Sequence, residues 1–458
     1  MTDLGGDLFP DDRVTSEIVE AWLGGLRWNP ALTGPVFERL LSCDDESSHT
    51  YWLKELALDH EMTAAAVASP LIAHRLAVIE NSAADVDALA ALARDPSPRV
   101  RFVYAAIGGD FGRGMSGGVL EVLAGDSEAR VRAMATQPGL PLQVRARLAE
   151  DEDARVRTAA LSTELWPHLS VTVQEALLAD PEPQVREAVA AILSGGAEAL
   201  PESAAPTPEE RVGSDDRFVR RAAAQDPDVP TALALRLAED PDDGVVLALS
   251  TREDLTEEQR SAIAYVVQHG YHVPPRWVVE RGHEPAVARR AAASGHVLLR
   301  RSIAMQRDLP ADVVDLLARD EDFFVKLTLC QYGDQAPHEL VVEMYAYWHG
   351  LAWSSLRFHP NFARPGLARY ADHPNPRLRR AALDDPDGGP DLVMKLIDDP
   401  DIGSSALRDP RLPAEELLRR LTMPGSAWHA AANPALSPGT MHRMLDLAGV
   451  ARTAVRAG

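Results

Sequence analysis

Residues 345–370 concentrate the side-chain types that most often anchor binding surfaces. This stretch contains seven aromatic residues, with His349, His359 and three arginines between them. Aromatic rings offer rigid contact area and arginine offers bidentate hydrogen bonds, so the combination is typical of protein–protein anchors. The rings could instead thicken the core of one pair of helices. Both alternatives stay open, and binding is supported by Trp348 and Trp353, which are larger than the Ala and Leu residues that dominate elsewhere.

The predicted partner-binding set adds an aromatic–arginine pair from earlier in the chain. It consists of Tyr347, Trp348, His349, Trp353, Arg357, Phe358, His359, Arg276 and Trp277. The chain has no Walker motif, and most of its acids fall at predicted helix starts, where capping explains them. We therefore predict no catalytic residue.

Histidines in the second half of the chain raise the question of a metal site. His269 and His272 have a ligand-like spacing, and Glu280 and His283 follow. A protein zinc site needs further His or Cys ligands at a defined spacing, and the two cysteines lie far away in sequence. We predict neither a metal nor any other cofactor.

A glycine-rich segment at 108–118 matches a phosphate-binding motif in the spacing of its glycines but not in its structural context. Gly112, Gly114 and Gly117 spell Gly-x-Gly-x-x-Gly. That motif cradles phosphate when it joins a strand to a helix. Both neighbouring segments have helical patterns here, so we interpret 108–118 as a flexible loop between helices.

A recurring phrase consists of an acid, four variable residues, a branched apolar residue and arginine. It runs from Asp95 to Arg101 and returns along the chain, and its arginines are Arg101, Arg132, Arg157, Arg186, Arg220, Arg300 and Arg379. Aligned in space, they could form a ladder for phosphates. We favour a structural role, in which each guanidinium pairs with a carboxylate, such as that of the acid six residues earlier, and ties adjacent units together.

The phrase belongs to a longer repeat with a period of roughly 26 residues, which gives about 16 units. In each unit the acid caps a first short helix and the branched residue begins its apolar stripe. A proline such as Pro230 or Pro310 then opens a second helix. These helical patterns predict an all-α fold.

The order of Val-Arg, paired Ala, Asn-Pro or Asp-Pro, a second Pro and a Leu-rich helix resembles the leucine-rich repeat variant family, a relative of HEAT repeats. Residues 431–438 carry the Asn-Pro form. The resemblance implies a right-handed α-solenoid of alternating α and 3₁₀ helices. A founding member of the family holds an iron–sulfur cluster on N-terminal cysteines. Cys43 is the sole cysteine in that region, so we do not expect the cluster.

Charge and composition limit the classes of partner that this chain is expected to bind. The formal net charge of the 458-residue chain is −23, which repels phosphate backbones and favours a basic protein segment over nucleic acid. Arginine far outnumbers lysine and alanine is abundant, a bias typical of GC-rich bacterial genomes. Two cysteines suit a reducing compartment, and we see neither a secretory signal nor a membrane span. We predict a cytoplasmic protein.

The predicted organisation has three parts. Residues 1–193 form less regular helical repeats, 194–214 a linker rich in Pro, Gly, Ala and Glu, and 215–458 regular repeats. We expect a non-catalytic scaffold that binds a protein or peptide partner through 345–370.

One enzymatic alternative stays open at this point. HEAT-like DNA-alkylation-repair glycosylases use aromatic and arginine residues in a concave groove. Arg276, Trp277 and Arg281 could imitate such a groove, as could another enzyme built on the same solenoid.

Overall fold

All regular secondary structure in the described part of the chain is helical. The structure is a computed structural model that describes residues 14–45, 48–193, 206–268, 270 and 273–452. Within these ranges there is no strand, so the all-α prediction is confirmed. No helix among them combines the length and the apolar character needed to cross a membrane.

Thirty α-helices and several 3₁₀ helices make up the described chain. From residue 14 to 193 the helices are α1 (Ser16–Leu26), α2 (Gly34–Leu41), α3 (Tyr51–Glu55), α4 (His60–Val67), α5 (Ile72–Ile79), α6 (Val86–Leu89), α7 (Pro98–Ile107), α8 (Gly117–Ala124), α9 (Ala129–Met134), α10 (Leu142–Leu148), α11 (Ala154–Ala160), α12 (Val171–Leu178) and α13 (Pro183–Leu193). From residue 206 to 332 they are α14 (Pro208–Val212), α15 (Arg217–Gln225), α16 (Thr231–Ala234), α17 (Asp243–Ser250), α18 (Glu257–Ser261), α19 (Arg276–Arg281), α20 (Pro285–Ala292), α21 (Val297–Ile303), α22 (Ala311–Ala318) and α23 (Phe323–Tyr332). The remaining helices are α24 (His338–Tyr347), α25 (Pro376–Ala382), α26 (Pro390–Leu396), α27 (Gly403–Leu407), α28 (Ala414–Leu421), α29 (Ala427–Ala431) and α30 (Pro438–Leu447). The 3₁₀ helices are Ala90–Arg94, Trp166–His168, Leu235–Glu239, Trp353–Phe358 and Leu367–Tyr370.

The chain divides into two compact units. The first combines Met1–Ala199 with Leu407–Gly458, and the second is Leu200–Ala406. Of the residues 215–458 predicted as regular repeats, those from Leu407 onward fall in the first unit. Of the predicted linker, residues 194–205 lie outside the described residues, and 208–212 form the helix α14 rather than a loop.

Within each unit, helices form successive pairs that stack on one another. First helices contact first helices, as α7 does α9 and α9 does α11, and second helices contact second helices, as α20 does α22. The branched residue of the recurring phrase lies between them, and Val100, Val131 and Val156 are fully buried. The apolar stripe predicted from the sequence is therefore the core of each pair.

The acid of the phrase lies two residues before the helix cap, not at it. The N-cap of α7 is Ser97, and the Asp95 carboxylate accepts the Ser97 N–H at 2.8 Å. Likewise Glu128 caps α9, and the Asp126 carboxylate accepts its N–H at 2.8 Å. The prediction that the acid itself caps the helix is wrong. The Asp95 carboxylate instead accepts from the Ser97 N–H and from the Arg75 guanidinium.

The recurring arginine bridges consecutive helix pairs. Arg101 forms a bidentate ion pair with Asp126 of the following pair, at 2.5 and 3.0 Å, and donates to the main-chain carbonyl of Asp95 at 2.8 Å. The same bidentate geometry recurs at Arg75–Asp95, Arg132–Asp151, Arg157–Asp180, Arg220–Asp240, Arg300–Asp320 and Arg379–Asp399. Arg186 likewise donates to the Asp180 carbonyl. The carboxylate thus comes from the next pair, whereas the acid six residues earlier contributes only its carbonyl.

These ion pairs change the acidity of the carboxylates. The hydrogen bond from Arg157 is the largest influence on Asp180 and lowers the pKa of that carboxyl, as the bond from Arg220 does for Asp240. Both partners of these ion pairs are largely buried. The charge of each acid therefore affects the stability of the contact between two helix pairs.

A second set of links uses amide side chains. Asn81 is buried, and its Nδ2 donates to the carbonyls of Leu53 and Leu56 at 2.6 and 2.7 Å, while its Oδ1 accepts the Ala83 N–H. Leu53 and Leu56 lie at the end of α3, where helix carbonyls lack an intrahelical partner. Asn81, which is followed by Ser82 where the Asn-Pro form has proline, therefore caps the preceding helix pair in space.

The same amide link joins the beginning of the chain to its end. Asn29 is fully buried, and its Nδ2 donates to the carbonyls of Ala431 and Asn433 at 2.9 and 2.8 Å. The buried Trp22 donates its Nε1–H to the Leu421 carbonyl at 2.8 Å, and α1 packs against α29. The α1–α2 pair thus stacks on the α29–α30 pair as a consecutive pair would. We call this contact the terminal seam.

Arg39 is the principal charged group of the terminal seam. Its guanidinium is buried and donates to the Asp446 carboxylate at 2.8 Å and to the Val450 carbonyl at 2.6 Å. Asp446 also accepts from Arg452, and these two guanidinium groups lower the pKa of Asp446 to about 2. The seam is therefore held by an ion pair as well as by apolar contact.

Candidate functional site

The second unit contains an aromatic–arginine cleft of about 410 Å³. We call it the Trp353 cleft. It is lined by Tyr345, Trp353, Ser354, Arg357, Phe358, Pro376, Arg377, Arg380, Asp401, Ile402 and Ser405. These residues come from the end of α24, the 3₁₀ helix Trp353–Phe358, α25 and the start of the segment containing α27.

A strained turn produces this 3₁₀ helix. Ala352 has a left-handed backbone conformation with φ of 58°, which is uncommon for a residue other than glycine. The preceding Gly350 lies against the Trp348 ring, and a Cβ there would come within 1.9 Å of it. The Trp348 Nε1–H donates to the Leu351 carbonyl at 3.0 Å and closes the turn. The indole thus holds the turn, and the turn presents Trp353 to the cleft.

Stacked flat groups form one wall of the Trp353 cleft. The Arg377 guanidinium lies 4.2 Å from the centre of the Trp353 ring, within the range of a cation–π contact. Tyr345 packs beneath Trp353, with ring centres 5.6 Å apart, and against the buried Phe362 at 4.9 Å. Burial raises the pKa of Tyr345, so this phenol stays neutral. The wall is pre-formed, because the rings beneath it are part of the core.

Ion pairs and carbonyls hold the arginines in place. Arg357 forms a bidentate pair with Asp384, with both distances 2.6 Å, and Arg380 approaches the same carboxylate at 3.5 Å. Arg377 donates to the main-chain carbonyls of Trp348 and Tyr345. Three guanidinium groups are thereby fixed around one small volume.

Sequence reasoning located part of this cleft. Of the predicted partner-binding residues, Trp353, Arg357 and Phe358 line it. Phe358 is 81% exposed, an unusual state for a phenylalanine. Tyr347 is also exposed but is not among the lining residues.

The other predicted residues of 345–370 have supporting contacts. Trp348 is half-buried against Phe323 and Phe324, at 6.0 and 5.9 Å between ring centres. His349 is exposed, and its Nδ1 lies 3.1 Å from the Arg377 guanidinium. His359 lies 2.9 Å from the Gly333 carbonyl and links two helix pairs. These contacts place Trp348 and His359 among the packing contacts between helix pairs.

Arg276 and Trp277 do not line the Trp353 cleft. Arg276 pairs with Glu280 at 2.6 Å one turn along α19. Trp277 donates its Nε1–H to the Thr251 carbonyl at 2.9 Å, so it belongs to the links between helix pairs. Arg281, the third residue of the glycosylase alternative, pairs with acids instead of facing an aromatic groove.

The lining residues that follow position 370 were not predicted from the sequence. Pro376, Arg377 and Arg380 begin α25, and Asp401 and Ile402 lie beyond α26. A signal was present in the arginine-rich start of α25, at positions 377, 379 and 380. Of these three arginines, Arg379 is the one predicted to have a structural role, and it pairs with Asp399.

The two other chemical candidates have structural explanations or fall outside the described chain. His269 and His272 lie outside the described residues, His283 is exposed, and Glu280 is paired with Arg276. The described part of the chain holds no group of three His, Cys, Asp or Glu side chains arranged for a metal ion.

The glycine-rich segment joins α7 to α8, two helices, and has no strand before it. Arg113 anchors it, because this guanidinium donates to the carbonyls of Ile79 and Asn81 at 2.8 and 3.0 Å. Phe111, with φ of 60°, lies beneath the same guanidinium. The loop is therefore tied to the preceding helix pair and does not have the setting of a phosphate cradle.

A buried Ser–His–Asp chain in the first unit was not singled out from the sequence. Ser69 Oγ lies 2.8 Å from His74 Nδ1, and His74 Nε2 lies 3.0 Å from the Asp44 carboxylate. All three side chains are buried, and Asp44 also pairs with Arg27. The chain resembles a catalytic triad in residue types only, since its serine bonds the opposite imidazole nitrogen and faces the interior.

Comparison with models of known protein families finds no match for this chain. Comparison with curated proteins finds no match either. The resemblance to leucine-rich repeat variants accordingly rests on the residues alone.

Proposed function

We propose that this protein is a non-catalytic α-solenoid scaffold, similar to leucine-rich repeat variants, that binds a segment of a partner protein in the Trp353 cleft. The recurrent arginine and asparagine links support a stacked array, because each one joins a helix pair to the next. A rigid stack of this kind holds a surface groove in a constant shape.

The observation that carries the proposal is the pairing of Trp353 with an exposed phenylalanine at a concave site. Phe358 is 81% exposed on the rim, and Trp353 is half-buried beneath Arg377. Partner-binding hot spots have this composition, with Trp and Arg in a pocket surrounded by less important contacts. Exposing large rings is unfavourable for the free protein, and a bound partner would cover them.

Affinity capture from the native host tests the proposal. The tagged wild-type chain is compared with Trp353→Ala and Phe358→Ala. The matched control is Phe218→Ala, which removes an exposed ring that does not line the cleft. We expect a captured protein to be lost from both cleft variants and retained by the control. Capture that is equal in all four samples would refute the assignment of the cleft.

A further inference from the structure

We infer that the occupant of the Trp353 cleft is an acidic peptide segment that carries an aromatic or large aliphatic side chain. This inference rests on the proposed function and specifies the chemistry of the partner. It departs from the basic partner expected from the net charge of −23.

The charges around the cleft favour an anion. Arg357, Arg377 and Arg380 line it, and Asp401 is the single acid among the lining residues. Asp384 lies behind Arg357 and Arg380, accepts hydrogen bonds from Arg357 and forms an ion pair with Arg380. Three guanidinium groups therefore face two carboxylates, and the local balance is positive in a chain whose overall charge is strongly negative.

The excess positive charge lies on Arg377. Its hydrogen bonds are to the carbonyls of Tyr345 and Trp348 and to an imidazole nitrogen of His349, and its face lies on Trp353. None of these groups carries a negative charge to offset the guanidinium. A carboxylate on a bound peptide would supply one.

For a partner bound in the cleft, the charges of the cleft matter more than the net charge of the whole chain. At physiological ionic strength, interactions between exposed charges are screened beyond about 8 Å. Acids on distant helices thus affect the approach of a partner more than its bound state, whereas the guanidinium groups of the cleft contact the partner directly.

The apolar part of the cleft defines the second element of the partner. Trp353, Phe358 and Ile402 contribute its apolar surface. A volume of about 410 Å³ lies within the range of roughly 300–1,000 Å³ typical of ligand pockets. This space suits one large side chain and its neighbours, with the acid next to the ring or aliphatic group.

Fluorescence anisotropy of the full chain with three labelled peptides tests the inference. The peptides share a central Trp and differ in its flanking residues, which are Glu, Gln or Lys. We expect the Glu peptide to bind about tenfold more tightly than the Gln peptide, the size of one charge-assisted hydrogen bond, and the Lys peptide to bind most weakly. The Glu preference should decrease with added salt.

Two arginine variants localise the effect. Arg377→Gln should abolish the preference for Glu over Gln. Arg276→Gln, which removes an exposed arginine outside the cleft, should retain it. Thermal unfolding of each variant verifies that it is folded, and the peptide series on the wild-type chain stands independently of both.

The outcomes separate this inference from the proposed function. Equal binding of the three peptides, a preference for Lys, or no binding of any of them overturns the acidic partner. If host capture still depends on Trp353 in that case, the proposed function stands. If capture does not depend on Trp353, the proposed function fails whatever the peptides do.

Discussion

Asn29→Ala is expected to open the terminal seam selectively. The Asn29 side chain makes three hydrogen bonds, two to the carbonyls of Ala431 and Asn433 and one from the Ala31 N–H. Ala431 and Asn433 are themselves buried, so water cannot readily replace the lost donors. This amide thus links the two sides of the terminal seam directly, although the residues it joins lie some four hundred positions apart in sequence.

The magnitude follows from the groups left without partners. Each buried polar group that loses its partner costs about 1–3 kcal/mol, so two carbonyls amount to roughly 2–6 kcal/mol. Folded domains are stable by only about 5–15 kcal/mol, so the seam should open measurably more often. Truncation to Ala also leaves a small cavity, which adds to the destabilisation.

Hydrogen–deuterium exchange reports where the opening occurs. Faster exchange is expected in α1, α2, α29 and α30 of Asn29→Ala. The control is Asn81→Ala, because Asn81 makes the same three bonds at 2.6–2.7 Å between helix pairs that are adjacent in sequence. Its faster exchange should be confined to α3–α6. Unchanged exchange in α29 and α30, or the same exchange pattern in both variants, would refute the reasoning.

Three further perturbations have defined outcomes. Asp151→Asn breaks the largely buried pair with Arg132 and should lower the free energy of unfolding by about 3 kcal/mol in urea titrations, with no effect on cleft binding. Burial, and to a smaller extent the charge of Arg260, lowers the pKa of His296 from 6.5 to about 3. The stability that the neutral imidazole contributes is therefore complete above pH 6.5 and is lost as the pH falls towards 3. His296→Asn retains a cap acceptor for the Leu298 N–H but does not titrate, so unfolding free energies measured from pH 7 to 4 should vary less with pH than in the wild type. Gly350→Ala would place a methyl group against the Trp348 indole. We expect it to weaken peptide binding in the Trp353 cleft, measured by anisotropy, with only a small decrease in the melting temperature.

The regular features of this protein follow from spacing along the chain. A period that places Val100 and Val131 on the inner face of successive short helices dictates an all-α arrangement with those residues buried. The recurrence of arginine at one position similarly indicates a tie between units. These properties are local, because a few consecutive residues determine whether a helix forms and which face is apolar.

The partner of each arginine depends on how the pairs stack. For Arg101, Asp95 is six residues earlier and Asp126 is 25 later, and both spacings are compatible with an ion pair. Stacking brings Asp126 to the guanidinium, while Asp95 turns its own carboxylate to Ser97 and, from the preceding pair, to Arg75. Sequence spacing could not distinguish the two acids.

The cleft shows the same division between local pattern and stacking. The aromatic content of 345–370 pointed to one wall, with Trp353 and Phe358. Arg377 and Ile402, which also line the cleft, come from later parts of the chain that only stacking brings near.

The terminal seam is the clearest case of what sequence alone leaves undetermined. Asn29, Asn81 and Asn433 each begin an Asn-x-Ala sequence, and the local pattern places each of them after the end of a first helix. Stacking then brings Asn81 to the pair that precedes it in sequence and Asn29 to the last pair of the chain. An unpaired helix carbonyl accepts from whichever donor packs against it, so its partner depends on position in space and not on distance along the chain.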